Sequence, residues 1–324
     1  MARRAAPARP SDAMAWPRRT VWDGEPGGTM RLRSGAPWRR SIGLLILLGG
    51  LMASASTLWS ALPPAAQHAG LAGLVAAAAT ALGTLPVWLA QTTSERARDT
   101  MMGFGAGVML AATAFSLVVP ALEAARAQGQ GPWGAGCVVG AAILFGAACL
   151  VTLDRWLPHE HFIKGPEGAQ GALSQRLRRV WLFVFAVALH NVPEGLAMGV
   201  AWGGTDARAA SALGAGIAIQ DVPEGLVIAV ALRGAGYGRI ASAGIGALSG
   251  LVEPVAAVAA ALVVTWSAVL LPWGLAFAAG AMLYVISHEV IPESHRQGHE
   301  RLATAGLMLG FVLMMLFDTA LAAG

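Results

Sequence analysis

Two copies of a six-residue motif contain the side chains of this sequence that are best suited to bind a cation. They read HNVPEG at 190–195 and QDVPEG at 220–225, and both lie inside strongly apolar runs. In a helix, residues three and four positions apart share one face, so the first, second and fifth positions of each motif converge. These positions hold His190, Asn191 and Glu194 in the first copy and Gln220, Asp221 and Glu224 in the second.

A proline precedes the glutamate in each motif, at Pro193 and Pro223. Within a helix, proline has no backbone N–H to donate, and its ring displaces the carbonyl four residues earlier. We therefore expect both helices to kink at the motif and to free the carbonyl oxygens of Leu189 and Ile219.

The elements that position these motifs are predicted to be membrane-spanning helices. Of the 324 residues, 56% are hydrophobic and only 12% are charged, and several apolar runs exceed 18 residues, which is typical of an all-α polytopic membrane protein. Nine candidate segments follow one another at 41–62, 67–90, 100–122, 133–153, 180–202, 209–232, 239–264, 267–288 and 302–323. The first is either a retained helix, which the long preceding tail favours, or a signal peptide.

The positively charged residues predict how the chain crosses the membrane. Residues 1–40 contain nine arginines and form a predicted disordered, basic cytoplasmic tail, ahead of a transmembrane domain at 41–324 with a cytoplasmic loop at 155–179. With the tail inside, 20 of the 22 basic residues are cytoplasmic, and only Arg126 and Arg208 are outside. This bias predicts a cytoplasmic N-terminus and an external C-terminus.

Four acids lie within these predicted helices without a basic partner. Three of them, Glu194, Asp221 and Glu224, belong to the two motifs. The fourth is Glu253, which precedes Pro254 in the next segment. An acid at the centre of a membrane helix costs roughly 2.5–3.5 kcal/mol, and neighbouring like charges cannot all stay ionised without compensation. Protons or a multivalent cation must therefore compensate them.

The donor types favour a transition-metal cation. Mixed imidazole and carboxylate ligands suit zinc, iron(II) and manganese, whereas all-oxygen sites suit calcium or magnesium. The two cysteines, Cys137 and Cys149, lie in a different segment, and we expect neither a disulfide nor a metal site there. Six or seven ligands are more than one tetrahedral zinc ion needs, so two bridged ions fit the set.

The paired motifs, followed by the mid-helix Glu253-Pro254, closely resemble the ZIP family of divalent-metal transporters, and within it the bacterial branch with a two-metal site. The resemblance spans about residues 67–324. It implies eight core helices with inverted repeats, to which 41–62 adds one N-terminal transmembrane helix. It places His190, Glu194, Gln220 and Glu224 at one ion, with Met109 nearby, and Asn191, Glu194, Asp221, Glu224 and Glu253 at the second.

The resemblance also implies a transport pathway on both sides of the metal site. The outer group comprises Ser116, Glu123 and Asp318, and the inner group comprises Asp99, Asp154, His288, Glu289, His295 and His299. His159 and His161 in the loop are either weak metal collectors or ordinary polar loop residues. Many relatives have a longer histidine-rich loop here, so we expect no strong metal-sensing role for this one.

These observations predict a secondary transporter, not an enzyme, that moves Zn²⁺ into the cytoplasm of a bacterium across its inner membrane. Fe²⁺, Mn²⁺ and Cd²⁺ are further candidate substrates. Membrane lipid and a second copy of the chain are the expected partners, and no nucleic-acid partner is expected. A calcium or sodium exchanger is the main alternative, which His190 disfavours. An intramembrane metalloenzyme is a third hypothesis, although the sequence lacks HExxH and the sites lack an open ligand position.

Overall fold

The computed structural model describes residues 56–89, 94–156, 172–204 and 206–322, and these residues are helical almost throughout. Most of the predicted first segment, the tail at 1–40 and the loop residues 157–171 lie outside the described residues. After a short helical stretch at 56–61, the described part contains eight long helices, some with an interruption: α1 (Pro64–Trp88), α2 (Glu95–Ala127), α3 (Pro132–Trp156), α4 (Ala172–Gly203), α5 (Ala207–Gly234), α6 (Arg239–Trp266), α7 (Ala268–Ser294) and α8 (Glu300–Ala322).

The helices confirm the prediction of an all-α, polytopic membrane protein. Seven of those in the described part, all except α4, are by length and composition apolar enough to cross a membrane. The helix α4 has 32 residues and packs against α1, α5, α6 and α7. Each predicted segment from 67–90 onward falls on one of the eight helices.

Small residues allow the helix backbones to touch, and α2 and α8 show this most clearly. A Cβ atom added at Gly103 or Gly107 of α2 would lie 2.0 Å and 1.9 Å from carbonyl oxygens of α8. From the α8 side, Cβ atoms at Gly306 and Gly310 would lie 2.2 Å and 2.1 Å from carbonyl oxygens of α2. In a membrane, where apolar burial does not drive helix association, such close backbone packing stabilises the pair.

The same kind of contact divides the eight helices into two groups. In one group, Gly83 and Gly225 bring α1 against α5, and Gly199 brings α4 against α6, where an added Cβ atom would lie 2.2 Å from the Ala257 carbonyl oxygen. In the other, Gly146 and Gly280 bring α3 against α7, beside the α2–α8 pair. We call α1, α4, α5 and α6 the site group and α2, α3, α7 and α8 the flanking group.

Contacts between the two groups involve side chains more than backbone. A Cβ atom at Gly216 in α5 would meet the sulfur of Met314 in α8, and one at Gly274 in α7 would meet the methyl groups of Val200 in α4. At Gly105 in α2, the nearest atoms belong to Gln220 and Pro223 at ordinary van der Waals distances of 3.8–4.0 Å. At these glycines, the contacts between the two groups therefore involve mainly side chains, whereas the contacts within each group involve backbone atoms.

One of the eight helices is interrupted within the membrane segment. Both α4 and α5 run on as single helices through Pro193 and Pro223, and the kinks expected there stay a prediction. The interruption lies in α6, whose first arm ends at Ser249 and whose second arm begins at Val252. Pro254 cannot donate to the Gly250 carbonyl, which accepts instead from the Glu253 N–H at 3.1 Å, and this tighter turn breaks the α-helical pattern.

Two π-helical segments lie in the flanking group, at Ala112–Val118 in α2 and Ile286–Val290 in α7. Each occurs in the part of the helix that carries predicted pathway residues, Ser116 in the first and His288 and Glu289 in the second. A π-helical turn rotates the side chains on one side of it relative to a regular α-helix, and such turns are frequent at functional sites.

The α2–α8 contact generates a stability prediction. Gly107→Ala should lower the melting temperature in detergent, because the added methyl group overlaps the Leu307 carbonyl region and overpacking typically costs about 1–3 kcal/mol. Gly140→Ala in α3 is the matched control, since nothing lies within 4 Å of its added Cβ atom. Equal melting temperatures for the two variants would contradict the packing argument.

Candidate metal centre

Three helices of the site group bring the predicted ligands together. The motifs lie on the consecutive helices α4 and α5, and the broken helix α6 adds Glu253 at the start of its second arm. The close approach of α4 to α6 explains the position of Glu253, because a Cβ atom on Gly195 would lie 2.5 Å from the Glu253 carbonyl oxygen. Glycine directly after Glu194 therefore places this acid beside Glu253.

The site is buried within the helix bundle. Asn191, Glu194 and Glu253 have no exposed surface, and Asp221 is 1% exposed. His190 and Gln220 are also buried, whereas Glu224 is only partly buried. In the described part of the chain, no lysine or arginine forms an ion pair with any of the four carboxylates.

The geometry brings three of the predicted carboxylates into one potential metal site. One oxygen each from Glu194, Asp221 and Glu224 lies within 4.8 Å of the other two. This spacing leaves room for an ion among them, and carboxylate oxygens bind zinc at about 2.0–2.2 Å. The two motifs thus meet through their acids, as the helical spacing predicted.

The two amide side chains hold the neighbouring carboxylates in place. The Gln220 Nε2 group donates a hydrogen bond to Glu194 Oε1. The Asn191 Nδ2 group donates to the Ser249 carbonyl oxygen and to Glu253 Oε1, each at 3.2 Å. The oxygen of each amide is buried without a hydrogen-bond partner, so it is available as a ligand.

Many polar atoms of the site have no hydrogen-bond partner. Of ten such buried side-chain nitrogen and oxygen atoms among the described residues, eight belong to predicted ligands: His190 Nε2, Asn191 Oδ1, Glu194 Oε2, Gln220 Oε1, both carboxylate oxygens of Asp221, Glu224 Oε1 and Glu253 Oε2. An unpaired buried polar group costs about 1–3 kcal/mol, and more if it is charged. Such a concentration of unpaired acceptors is what a cation site requires.

Glu289 approaches the site more closely than the sequence suggested. We predicted it as part of the inner pathway, but its Oε2 atom lies 2.6 Å from His190 Nε2. The two atoms are within ion-pairing distance, so Glu289 directly contacts a predicted ligand on another helix. The π-helical turn of α7 carries Glu289, which makes it a contribution from the flanking group.

Most of the other predicted pathway residues contact residues outside the carboxylate cluster. On the predicted outer side, Ser116 donates a hydrogen bond to Asp318 at 2.8 Å, while Glu123 is exposed. On the predicted inner side, Asp99 is buried and its Oδ2 atom lies 2.8 Å from His299 Nδ1. The His295 ring contacts Ser294, Thr304 and the Ile291 carbonyl oxygen, and His288 stacks on Tyr284.

For four further predicted residues, the structure gives less information about a role at the site. Asp154 lies in the last turn of α3, and His159 and His161 lie outside the described residues. Met109 is buried in the main apolar core, one turn from Gly105, which packs beside Gln220. Its position near the first ion therefore stays a prediction.

Thr80 is a polar neighbour that the sequence analysis missed. It lies on α1 and is fully buried, and a Cβ atom added at Gly250, at the break in α6, would lie 2.9 Å from Thr80 Oγ1. A lone threonine in an alanine-rich segment has no distinctive spacing. The available signal was that Thr80 and Thr84 are the only hydroxyl-bearing residues between 64 and 88.

Comparison with known proteins identifies the family to which this chain belongs. The family model described as ZIP zinc transporter matches residues 157–318. The chain is 46% identical over 254 residues to the zinc transporter GufA of Myxococcus xanthus, covering 78% of this chain and 99% of that protein. The chain belongs to the ZIP family. All the predicted metal ligands except Met109 lie within the region that the family model matches.

Other ZIP proteins extend the likeness. The chain is 47% identical over 264 residues to the zinc transporter ZIPB of Bordetella bronchiseptica, covering 78% of this chain and 81% of that protein. It is 32% identical over 320 residues to the human zinc transporter ZIP11, covering 75% of this chain and 94% of that protein. The resemblance inferred from the two motifs is therefore confirmed at the level of the family.

The unpaired site atoms predict that a bound ion stabilises the protein. Zinc should raise the melting temperature of the wild type, because a ligand that binds only the folded state at 100 times its Kd adds about 2.7 kcal/mol. The double variant Asp221→Asn/Glu224→Gln should lose that increase and should be no less stable without metal, since it removes buried like charges. Thermal unfolding with and without zinc measures both effects.

Asp318→Asn is the control, because Asp318 pairs with Ser116 away from the carboxylate cluster and should retain the zinc-dependent increase. An unchanged increase in the double variant would show that zinc binds elsewhere.

Proposed function

We propose that this chain transports zinc ions across a bacterial inner membrane into the cytoplasm, through the buried site between α4, α5 and α6. The observation that carries the proposal is the cluster of eight buried polar atoms without a hydrogen-bond partner, around carboxylates that form no ion pair with a lysine or arginine of the described residues. Membership of a family of zinc transporters, and relatives named as zinc transporters at 46–47% identity, support the same function.

The donor set supports two zinc ions more than one. In this proposal, His190, Glu194, Gln220 and Glu224 hold the first ion, and Asn191, Asp221 and Glu253 complete the second together with the two bridging glutamates. A single tetrahedral zinc ion needs four ligands, which would leave several of the unpaired oxygens without a partner. Two ions neutralise the four negative charges as well.

The proposed ligands of the first ion favour zinc over hard cations such as Ca²⁺ and Na⁺. His190 and Glu289 converge from different helices, and an imidazole ligand is typical of Zn²⁺, Fe²⁺ and Mn²⁺ and unusual for Ca²⁺ or Na⁺. We propose Fe²⁺, Mn²⁺ and Cd²⁺ as further substrates. A calcium or sodium exchanger remains the alternative, and uptake measured metal by metal decides between them.

The pathway on each side is proposed from the paired polar residues. The Ser116–Asp318 pair on the outer side attracts a hydrated ion, and the site then replaces its water with carboxylate oxygens. Glu289 lies next to His190 and leads toward His288 and the Asp99–His299 pair on the inner side. This route supplies oxygen and imidazole ligands at each stage, so the ion is never stripped of ligands in the apolar region.

The two helix groups support a transport cycle in which one group moves against the other. Ligands from α4, α5 and α6 belong to the site group, whose helices contact one another through backbone, whereas Glu289 belongs to the flanking group. Because the boundary between the groups consists largely of side-chain contacts, relative movement disturbs fewer close contacts than movement within a group. The exposed Leu144 and Phe145 on α3 offer an apolar face to lipid or to a second copy of the chain.

Removing one bridging carboxylate tests the proposed function. Glu224→Ala should abolish zinc uptake into proteoliposomes, because both proposed ions lose a ligand, while the helical content of the protein is retained. Glu95→Ala is the control, since Glu95 is exposed in the first turn of α2 and should leave uptake unchanged. Uptake at the wild-type rate in the Glu224 variant would refute the proposed site.

The proposed orientation is tested by labelling single cysteines in a variant without Cys137 and Cys149. A membrane-impermeant thiol reagent added to whole cells should label Ala207→Cys, at the start of α5, and should not label Gly238→Cys, at the start of α6. Both residues are exposed and lie on opposite ends of the α5–α6 region. The reverse labelling pattern would require the opposite orientation and export as the direction to test.

A further inference from the structure

Gly216 of α5 differs from the tightly packed glycines of the α2–α8 pair in the atom that it meets. In that pair, Cβ atoms added at the four glycines would lie 1.9–2.2 Å from backbone carbonyl oxygens, which cannot move without moving a helix. At Gly216, an added Cβ atom would lie 2.3 Å from the sulfur of Met314 and 3.1 Å from its terminal methyl group. Methionine is unbranched and has three rotatable bonds, so this contact can open by rotation of a side chain.

Met314 lies one helical turn from a polar residue on each side. Along α8, Asp318 follows four residues later and accepts a hydrogen bond from Ser116 on the predicted outer side. Along α5, Gln220 follows Gly216 by four residues, and it is a predicted ligand of the first ion. The Met314–Gly216 contact therefore lies between the outer polar pair and the metal site.

The contacts of α2 give the same order. Gly105 packs beside Gln220, and the nearest atom of Val108 lies 3.6 Å from the Cβ position of Gly216. Ser116, further along the same helix, reaches the outer pair. The three residues from 105 to 108 correspond to a rise of about 4.5 Å, so the contact lies directly outward of the ligands.

The side chains at the level of this contact are apolar and buried. Met314 is fully buried, and so are Leu213 and Ile217 in the same part of α5. The hydroxyl group of Thr113 on α2 donates to the Met109 carbonyl oxygen at 2.7 Å. An ion here would lose its water without gaining a ligand, which is strongly unfavourable in an apolar environment. In this conformation, the layer therefore separates the outer pair from the metal site.

We propose that Met314 is the outer gate of the transport pathway: packed against Gly216, its side chain closes the passage between the Ser116–Asp318 pair and the metal site, and it opens the passage by rotating away. The contact joins α8 of the flanking group to α5 of the site group, so relative movement of the groups changes the space available to the methionine. The inference rests on the proposed function, because it concerns how an ion enters the same site.

The test measures how fast an external reagent reaches a cysteine on the metal-site side of Met314. Gly105→Cys is introduced into the variant without Cys137 and Cys149, because a Cβ atom at this position meets only ordinary van der Waals contacts beside Gln220 and removes no ligand. Whole cells are treated with 2-(trimethylammonium)ethyl methanethiosulfonate, a small cationic thiol reagent that does not cross the membrane. With Met314 in place, labelling should be slow.

Opening the gate should accelerate the labelling at position 105. Met314→Ala removes most of a buried side chain, a loss that exceeds the energy of a tenfold change in an equilibrium, so labelling should become about 10-fold faster or more. Met314→Leu fills a similar volume and should keep labelling slow. Gly216→Ala places a methyl group where the sulfur lies, so the methionine must move and labelling should also accelerate. Because both residues act through one contact, the double variant should be no faster than Met314→Ala alone.

Met308→Ala is the matched control on α8. Met308 is 59% exposed on the outside of the bundle, so the same truncation there should leave labelling at position 105 slow. Ala207→Cys, at the exposed start of α5, gives the labelling rate of an accessible residue on the predicted outer side. Gly216→Ala keeps the test decisive if Met314→Ala fails to fold, because only a flexible side chain must move to accommodate the new methyl group.

The outcomes separate the gate from the proposed function. Fast labelling at position 105 with Met314 in place refutes the closure, and slow labelling in both Met314→Ala and Gly216→Ala refutes the role of the contact. Labelling as fast in Met314→Leu or Met308→Ala as in Met314→Ala also refutes it, because the volume filled at this position is then not what closes the passage. None of these results depends on zinc. A wild-type protein that does not transport zinc into proteoliposomes overturns the proposed function and leaves the measured closure standing.

Discussion

The structure depends on one electrostatic constraint, the presence of four carboxylates inside an apolar helix bundle without a lysine or arginine ion pair in the described part of the chain. Glu194, Asp221 and Glu253 are buried and Glu224 is partly buried, where each ionised acid costs several kcal/mol, and together they approach the whole stability of a typical domain. Their unpaired oxygens face one another instead of the hydrogen-bond donors that buried acids normally find. A divalent cation removes this cost, so the feature that destabilises the empty site is also what gives the site its affinity.

Close packing is the second requirement, because carboxylates on three helices meet only if the backbones approach one another. Glycines supply this approach at the site itself: Gly195 and Gly225 end the two motifs, and each faces the backbone of a neighbouring helix. A side chain at either position would push α4 from α6 or α5 from α1. The glycine that closes each six-residue motif is therefore part of the metal site, although it offers no ligand.

The site lies at the edge of the group of helices that builds it. Most ligands come from α4, α5 and α6, but Glu289 reaches His190 from a π-helical turn in α7. If the proposed function holds, this contact links the occupancy of the site to the relative position of the two groups.

The sequence by itself determined the class of the protein, its membrane segments and the ligand types, because apolar run length, helical spacing and side-chain chemistry are local properties. Eight predicted segments coincide with helices, and both motifs converge through the predicted acids. Only the tertiary structure decided where a helix breaks and which distant residues approach the site. All three mid-segment prolines are local signals for a distorted helix, yet α4 and α5 continue through Pro193 and Pro223 while α6 is interrupted just before Pro254. The proximity of Glu289 to His190 depends on how α7 packs against α4. Such packing joins residues more than 90 positions apart, and no spacing within the sequence encodes it.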